Sequence, residues 1–486
     1  MICDSEPGWV QRPTTTVKAS IEELLAIFGE IFSRTVIKQW VKNSKVRLYW
    51  RLLTPLIILW GLIYQRLNRD HTCDAVISHF YTGAIDGLDK EDTNKLPVSY
   101  RFKSESTSSY VQGRLRMPLL VIMSALNQVR ETIFNWINEA NEDEAYTWKG
   151  HSVRLLDGTT FRLRPTPDLV STYGQASNGK GMSHWVVVKS LIACCLFSQA
   201  VIAFVEGGIS EPAMVGQIMK QDPEADSIYI GDRAFGVYRV VQVAKSYGKK
   251  VLLRLEQRTA RKLLKSSQKG SLSSGQDAQV VWNAAPTTKV EPTLEKSPLT
   301  GRIIYVQLRQ KGFRPIDLYL FTDLIDGEVY SINELVELYG YRWQVEVDYR
   351  YIKTTLEMEE FNVKTAEMFR KELAIGLLTY NLIRALMLKA SIKAGIKPNQ
   401  LSFSCCWRRL RDLLTQGVPQ WVIIENKLEH WLMTRLAKCR LPHQPNKVRY
   451  EPRMVRRRPQ VFPALKGSRD RARKQVLHEL STAIAN

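Results

Sequence analysis

The chain has 486 residues, of which 44% are hydrophobic and 9% aromatic, and its formal net charge is +21. This composition excludes a disordered chain and predicts a globular protein, and the length suits about two to four domains or one core with insertions. The excess of positive charge favours a polyanion as partner, most simply nucleic acid, with an anionic membrane surface as the alternative.

Residues 20–150 are predicted to be mostly helical. Ser20–Glu23 is a capping-box pattern at the start of a helix. The N-terminus has neither the basic region nor the apolar stretch of a signal peptide. Further along, Val36–Leu53 interleaves lysines and arginines with Trp and Tyr. This pattern fits a helix that contacts DNA and equally an amphipathic core helix with a basic outer face.

The most apolar run, Leu52–Tyr64, contains a Pro and a Gly and is shorter than the roughly twenty residues of a membrane span. We therefore expect a buried core helix here. A polar loop over residues 89–109 precedes another helical run, Val111–Ala140. An acidic NEDE segment then ends the helical part.

From about residue 150 the pattern predicts alternating strands and helices. His151–Leu163 is a strand pattern that breaks at Asp157–Gly158, and residues 184–208 have the β-branched density of buried strands. A helix, a strand that ends at Gly231–Asp232, a second helix and a further strand follow. The predicted order is strand, strand, strand, helix, strand, helix, strand, and two of the strands end at an Asp.

The second half begins with a loop-like region over residues 258–300. A strand hairpin is predicted for 301–324, a helix for Ile332–Glu360 and an apolar helix for Glu372–Ala390. Lys438–Lys474 forms a basic tail with thirteen Lys or Arg residues against two acids. This tail is either a clamp on the DNA backbone or a solubilising end.

One helical stretch, Leu338–Lys353, mixes acids, cations and four tyrosines. At about 100° per residue, positions i+3, i+7 and i+14 fall within about 60° of the starting position. Tyr339, Arg342, Glu346 and Lys353 therefore share one stripe. A carboxylate among cations and a phenol suits a site for a divalent ion and phosphate. A solvated face with i,i+4 ion pairs is the alternative.

Three carboxylates are candidate metal ligands: Asp157, Asp232 and Glu346. Strand ends at one edge of a sheet, together with a facing helix, bring together acids that are far apart in sequence. Two-metal phosphoryl transfer needs such a set, because one carboxylate bridges ions about 3.5–4 Å apart and the others complete each shell. Taken singly, each acid is also explained as a turn residue or a surface pair.

On these residues the chain resembles the insertion-sequence DDE transposases (IS family 4 type), the branch marked by Tyr-x2-Arg-x3-Glu-x6-Lys. Tyr339, Arg342, Glu346 and Lys353 complete that signature. The resemblance also covers DGTTFRL around Asp157, GDRAFGVY around Asp232, the LLRL strand and the TYNLIRALM helix. It spans roughly residues 100–390 and, more loosely, the two ends.

The resemblance implies an α/β fold with an RNase H-like catalytic core and a β-strand insertion. It implies a helical DNA-binding region over 1–150, a catalytic domain over 151–390 with the insertion at about 258–330, and a basic helical region over 391–486.

The resemblance also implies a role for each site residue. Asp157, Asp232 and Glu346 would bind two Mg²⁺ ions, or Mn²⁺ in their place. Arg342 and Lys353 would contact phosphates near the cut.

Tyr339 would donate a hydrogen bond to a phosphate. Some members stack an extruded base on an aromatic residue of the insertion. The corresponding position here is Leu318, next to Tyr319, while Trp282 lies in a less regular part, so the stacking residue stays open.

The expected partners are double-stranded DNA, as transposon ends and target, and a second copy of the chain in the DNA complex. The expected setting is the prokaryotic cytoplasm, associated with the nucleoid and without a membrane. The reaction would be hydrolysis at the transposon end followed by attack of the freed 3′-OH. No GxxxxGK[ST] motif binds a nucleotide cofactor.

Four alternatives remain at this point: an active cut-and-paste transposase, a catalytically inactive DNA-binding protein derived from one, an RNase H-like nuclease or resolvase, and an interfacial membrane protein. The seven cysteines lack CxxC spacing, and the seven histidines are scattered. We therefore expect reduced thiols and neither a zinc site nor a disulfide framework.

Overall fold

The computed structural model describes sixteen segments of the chain. They are residues 16–17, 31–48, 52–68, 70–83, 85–86, 98–102, 104–140, 146–175, 177–178, 181–267, 270–308, 315–416, 418–419, 422, 427–441 and 467–485. The capping box at Ser20–Glu23, the acidic NEDE segment and most of the basic tail lie outside these segments.

The described secondary structure is a mixture of helices and strands. The α-helices in chain order are α1 Arg34–Asn43, α2 Pro55–Leu67, α3 Cys73–Tyr81, α4 Val98–Arg101, α5 Ser108–Arg116, α6 Leu119–Glu139, α7 Pro167–Tyr173, α8 Glu211–Gln221, α9 Tyr238–Ser246, α10 Gln257–Ser266, α11 Ile332–Gly340, α12 Gln344–Arg350, α13 Ala366–Ala394, α14 Phe403–Gln416, α15 Leu428–Ala437 and α16 Arg469–Ala485. The strands are β1 Thr16–Val17, β2 Val153–Leu163, β3 Ser177–Asn178, β4 Gly181–Met182, β5 Val186–Cys195, β6 Val201–Gly207, β7 Ile228–Gly231, β8 Lys250–Arg254, β9 Gln276–Trp282, β10 Leu299–Leu308, β11 Ile316–Thr322, β12 Glu360–Phe361 and β13 Val418–Pro419.

The chain divides into two compact units. The first comprises Met1–Thr132 and Leu382–Leu441, and the second comprises Ile133–Asn381 and Pro442–Asn486. The domain boundaries expected from the sequence stay a prediction.

The first unit is built mainly from helices. Helix α2 begins at Pro55 behind the N-cap Thr54, whose hydroxyl accepts a hydrogen bond from Ile57 N. Nearly all of α2 is buried, as predicted for the apolar run at Leu52–Tyr64. Helix α1 ends at Asn43, earlier than the basic-aromatic segment suggested, and buries Ile37 and Val41 under an exposed basic face.

The second unit contains a nine-stranded sheet in the order β6-β5-β2-β7-β8-β11-β10-β9, with the short β12 added to β2. Strands β6, β5 and β2 are antiparallel, and β7 and β8 run parallel to β2. Strands β10 and β11 form the predicted hairpin, and β11 pairs with β8 and so extends the sheet. The predicted strands and helices β2, β5, β6, α8, β7, α9 and β8 are all present in that order, but the sequence analysis missed α7 and the short strands β3 and β4 between β2 and β5.

One face of this sheet carries helices α8 and α9. Leu156 of β2 is packed in one apolar cluster with Met214, Val215 and Ile218 of α8 and with Val240 of α9. Burial of this apolar surface is the main stabilising term and fixes the first turn of α8 over the sheet.

Two sequence expectations are corrected in this unit. Residues 258–300 are not loop-like throughout, because α10 and β9 lie within them. In α10, Ala260, Leu263 and Leu264 form a buried stripe, and β9 alternates between exposed and buried side chains. The predicted helix Ile332–Glu360 is interrupted by a 3-10 turn at Tyr341–Trp343 and a π-turn at Tyr351–Thr355, and it ends there.

A third correction concerns Asp157, which lies in the middle of β2 and not at a strand end. Strand β5 pairs with β2 straight through this point, with Asp157 opposite Ile192 and Gly158 opposite Leu191. It is the neighbouring strand β7 that ends, at Gly231. Asp157 therefore lies where the sheet opens on one side.

One described helix, Ala366–Ala394, is long and apolar enough to cross a membrane by length and composition. However, 94% of its most apolar window is buried inside the protein. Such burial is typical of the core helix of a globular protein, which agrees with the predicted apolar helix at Glu372–Ala390.

Candidate active site

The parallel pairing of β2 and β7 brings two of the predicted acids together. Leu155 lies opposite Ile230, and this register continued by two residues places Asp157 opposite Asp232. Asp232 follows the last residue of β7, and its Oδ1 accepts a hydrogen bond from Ala234 N at 2.8 Å. This Asx-type turn holds the start of the GDRAFG segment.

Gly236 explains why that segment ends in a glycine. A Cβ at this position would collide with the backbone carbonyl of Arg254 at the end of β8. Only a residue without a side chain lets the turn after Asp232 lie against β8.

Glu346 lies in the first turn of α12 and is paired with Arg342, whose Nη2 donates to Glu346 Oε1 at 2.6 Å. The 3-10 turn before α12 keeps the two residues on one side of the segment. Helix α12 packs on β2 through Tyr349, whose hydroxyl donates to the backbone carbonyl of Asp157 at 2.7 Å. This hydrogen bond fixes the helix that carries Glu346 to the strand that carries Asp157.

The three carboxylates act on one another electrostatically. The pKa of Asp157 is raised from 3.8 to about 7, mainly by burial and further by Asp232 and Glu346, while Arg342 opposes the shift. Burial disfavours the charged form of an acid, and nearby negative charges add to that effect. The Asp157 carboxyl is therefore short of positive charge.

The other signature residues lie around the same point. Burial raises the pKa of Tyr339 to about 12, and Asp232 raises it further while Arg342 and Arg254 lower it. Tyr339 is thus a neutral hydrogen-bond donor at neutral pH. Lys353 Nζ donates to the carbonyl of Thr160 in β2 at 2.8 Å.

Burial lowers the pKa of Lys353, while the Glu359 and Asp157 carboxylates oppose that shift. Burial also lowers the pKa of Arg342, but the interactions with Tyr339, Glu346 and Asp157 raise it by more. The pKa of Arg342 is therefore raised overall. The structure therefore brings all six predicted site residues to one region beside β2.

A second buried carboxylate in this unit provides a contrast. Asp222 receives hydrogen bonds from Arg154 at 3.0 Å, from the Tyr229 hydroxyl at 2.7 Å and from Ser227 at 3.1 Å. Burial alone would raise the pKa of Asp222, yet Arg154 and these donors lower it. Asp222 has its own cation within the fold, whereas Asp157 shares Arg342 with Glu346.

A divalent cation would supply the charge that the Asp157 region lacks. The donors there are carboxylate oxygens, which hard cations such as Mg²⁺ prefer, so the residue types fit. Among the described residues, no three acidic, His or Cys side chains are already converged on one point as a metal cluster. Glu346 is paired with Arg342 instead, whose Nη2 lies 2.6 Å from Glu346 Oε1.

Three residues near the site were not singled out from the sequence. Arg254 hydrogen-bonds Tyr339, Tyr349 bonds the Asp157 backbone, and Glu211 interacts with Asp232. The only sequence signal was the density of tyrosines around Glu346.

The three candidates for base stacking, Trp282, Leu318 and Tyr319, are all buried, at 8%, 2% and 7% exposure.

Comparison with known proteins gives three findings. Residues 148–382 match the Transposase DDE domain family. The chain is 27% identical over 458 residues to the Transposase InsG for insertion sequence element IS4 of Escherichia coli (strain K12), covering 91% of this chain and 95% of that protein. The cryo-EM structure of the piggyBac transposase synaptic complex with hairpin DNA aligns at 13% identity and a TM-score of 0.40 over 88% of each chain, too low a score for an argument about the fold.

Proposed function

We infer that this chain is a DDE transposase of the IS4 type, encoded by a bacterial insertion sequence. DNA is its partner, and the family implies a divalent metal cation. We propose that it binds the terminal inverted repeats of its element, cuts the DNA at their ends and joins the freed 3′ ends to target DNA. The observation that carries this proposal is that Asp232 and Glu346 both act electrostatically on the buried carboxyl of Asp157 in β2.

We propose an RNase H-like core formed by β6, β5, β2, β7 and β8 with the helices on their faces. The arrangement of three antiparallel strands followed by two parallel strands supports it. Strands β9 to β11, with α10, would be the insertion between the second Asp and the Glu.

In this core Asp157, Asp232 and Glu346 would hold two Mg²⁺ ions. When bound, two such ions polarise the attacking water and neutralise the charge on the leaving 3′ oxygen. Tyr349 keeps Asp157 and α12 in register through its bond to the Asp157 carbonyl. Because the Asp157 carboxyl has a pKa of about 7, a proton would compete with the cation for this carboxyl in weakly acidic solution.

The basic and phenolic residues would hold the phosphates next to the cut. Arg342 offers a planar donor set suited to phosphate oxygens. Tyr339 donates through its neutral hydroxyl, and Lys353 lies against β2 at Thr160. Hydrolysis of the phosphodiester consumes one water and leaves a 3′-OH and a 5′-phosphate. In the joining step that 3′-OH attacks a phosphodiester, either of the opposite strand or of target DNA, and a 3′ oxygen leaves.

Further DNA contacts would come from outside the core. Lys38, Lys42, Lys45 and Arg47 line a pocket of about 410 Å³ at the end of α1, and all four side chains are exposed. We propose that this basic surface contacts phosphates, as would the basic tail. We also propose that two copies pair the two ends of the element, in the cytoplasm and on nucleoid DNA.

The test uses end-labelled DNA that carries the terminal repeats of the element, incubated with purified protein with and without Mg²⁺. Nicking at the repeat boundary, followed by hairpin or joined product, is expected only with Mg²⁺. Binding without cutting would assign the chain to the inactive DNA-binding class, and cutting of branched DNA without joining would indicate a nuclease or resolvase.

A further inference from the structure

Helix α8 begins at Glu211, directly after the N-cap Ser210 and before Pro212. Its apolar side packs into the cluster around Leu156, so the first turn is fixed next to β2. Glu211 itself is half-buried. The proposed metal ligands Asp157, Asp232 and Glu346 do not include this carboxylate.

Gly158 shows how closely Glu211 approaches β2. A Cβ built on Gly158 would collide with the carboxyl group of Glu211, whose Oε2 lies only 2.6 Å from that position. Glycine in a strand interior weakens the strand and often marks a point where another group approaches the backbone closely. Here that group is a carboxylate, and the residue before the glycine is Asp157.

The strand geometry explains why the glycine matters. Leu156 and Gly158 face the side of the sheet that carries α8, whereas Asp157 faces the opposite side. Strand β7 ends at Gly231, so β2 has no partner on that side at Gly158. A carboxylate in the side-chain space of residue 158 can therefore reach the open edge, where Asp232 lies.

We propose that Glu211 is a fourth carboxylate of the catalytic centre and contacts the divalent cation held beside Asp232. This inference rests on the proposed function. Two electrostatic interactions agree with it. The pKa of Glu211 is raised by burial and then by Asp232, with Lys189 opposing, and the buried Tyr349 hydroxyl is influenced by both Asp157 and Glu211.

The competing explanation is structural. An acid in the first turn of a helix interacts favourably with the helix dipole and stabilises the fold. In that case removal of its charge lowers the stability of the metal-free protein and leaves cation affinity unchanged. If Glu211 is a cation ligand, removal of its charge lowers the cation affinity and does not lower the stability of the metal-free protein. The reason is that Asp232 repels the Glu211 carboxylate as long as no cation is bound.

The experiment compares the wild type with Glu211→Gln and with the matched control Glu328→Gln, which alters an exposed acid in a loop. Each protein is bound to terminal-repeat DNA, and free Mn²⁺ is counted by electron paramagnetic resonance. We expect Glu211→Gln to weaken the binding of at least one ion by about tenfold or more. The control should bind like the wild type.

Two further measurements separate the explanations. In EDTA, Glu211→Gln should melt at or above the wild-type temperature. In Mn²⁺ it should cleave at least about tenfold more slowly at low cation concentration and recover as the concentration rises. A lower melting temperature with unchanged Mn²⁺ affinity would overturn the proposal and establish the helix-dipole role. Wild-type protein that neither binds Mn²⁺ nor cleaves would instead overturn the proposed function itself.

Gly158→Ala provides an independent variant, because it displaces the Glu211 carboxylate without deleting it. It should weaken Mn²⁺ binding as Glu211→Gln does. In a Glu211→Ala background the space is already empty, so Gly158→Ala should add little. Additive losses from the two substitutions would contradict a shared role.

Discussion

Replacement of Asp157 by Asn should stabilise the metal-free protein, and the gain should grow with pH. The native pKa of Asp157 is about 7, against 3.8 for the free side chain. An acid with a raised pKa binds its proton more tightly in the native state than in the unfolded state. The resulting loss of unfolding free energy is absent below pH 3.8. It grows between pH 3.8 and about 7 and is complete above about pH 7.

The size of the effect follows from the shift. A shift of one pKa unit corresponds to about 1.4 kcal/mol. The raised pKa of Asp157 therefore lowers the free energy of unfolding by about 2 kcal/mol at pH 5.5 and by at most about 4 kcal/mol at pH 8.5. Asn removes this cost because it has the shape of Asp without the charge. For a unit of this size, about 2 °C per kcal/mol gives a rise in melting temperature of at most about 8 °C at the higher pH.

The assay is thermal unfolding in EDTA, followed by circular dichroism, at the two pH values. Glu328→Gln, an exposed substitution, is the control and should match the wild type. Addition of Mg²⁺ at the higher pH should stabilise the wild type more than Asp157→Asn. Equal melting temperatures for Asp157→Asn and the wild type at pH about 8.5, or a larger gain at the lower pH, would refute the reasoning.

Four other outcomes are expected. Glu346→Gln should abolish cleavage and retain binding of terminal-repeat DNA, because the amide can still accept the hydrogen bond from Arg342 but lacks the charge; cleavage at the wild-type rate would refute the metal-ligand role. Arg342→Ala should slow cleavage more than it weakens binding in a gel-shift assay, and it should move the pH dependence of metal-free stability upwards, because Arg342 lowers the pKa of Asp157. Trp282→Ala should cost about 3–5 kcal/mol of unfolding free energy, because the ring is buried between two aromatic neighbours; loss of hairpin formation with unchanged stability would show instead that the ring binds DNA. Affinity for DNA should fall steeply with salt if the basic surfaces contact phosphates, and a flat dependence would exclude that.

Much of the second unit could be predicted from local patterns. The apolar runs and glycines predicted β2, β5, β6, α8, β7, α9 and β8 in the correct order, because each pattern reflects burial within its own element, whereas the short α7, β3 and β4 were missed. Asp157–Gly158 was misread because Asp-Gly is typical of a turn. The pairing of Gly158 with Leu191 keeps it in a strand, and a partner that distant cannot be identified from the dipeptide.

The residues missed around the site have the same explanation. Tyr349 bonds the Asp157 carbonyl across 192 positions of sequence, and Glu211 approaches Gly158 from a different element. Neither contact corresponds to a fixed spacing in the sequence, so no motif could have indicated it. The Tyr-x2-Arg-x3-Glu-x6-Lys stripe could be found because all four residues lie on one helical segment, although that segment contains a 3-10 turn and a π-turn.

The position of the site follows from unequal strand lengths. Strand β2 has eleven residues and β7 has four, so β2 continues beyond its parallel neighbour. Between the end of β7 and the short β12, which pairs with β2 at Arg162 and Leu163, the backbone of β2 is held by β5 on one side and is open on the other. Acids from β2, from the turn after β7 and from α12 lie around this gap between β7 and β12 and interact electrostatically. Their mutual repulsion opposes folding, whereas Asp222 is neutralised by Arg154 inside the fold. A cluster of acids that the protein leaves without enough cations of its own is suited to recruit them from solution together with the substrate.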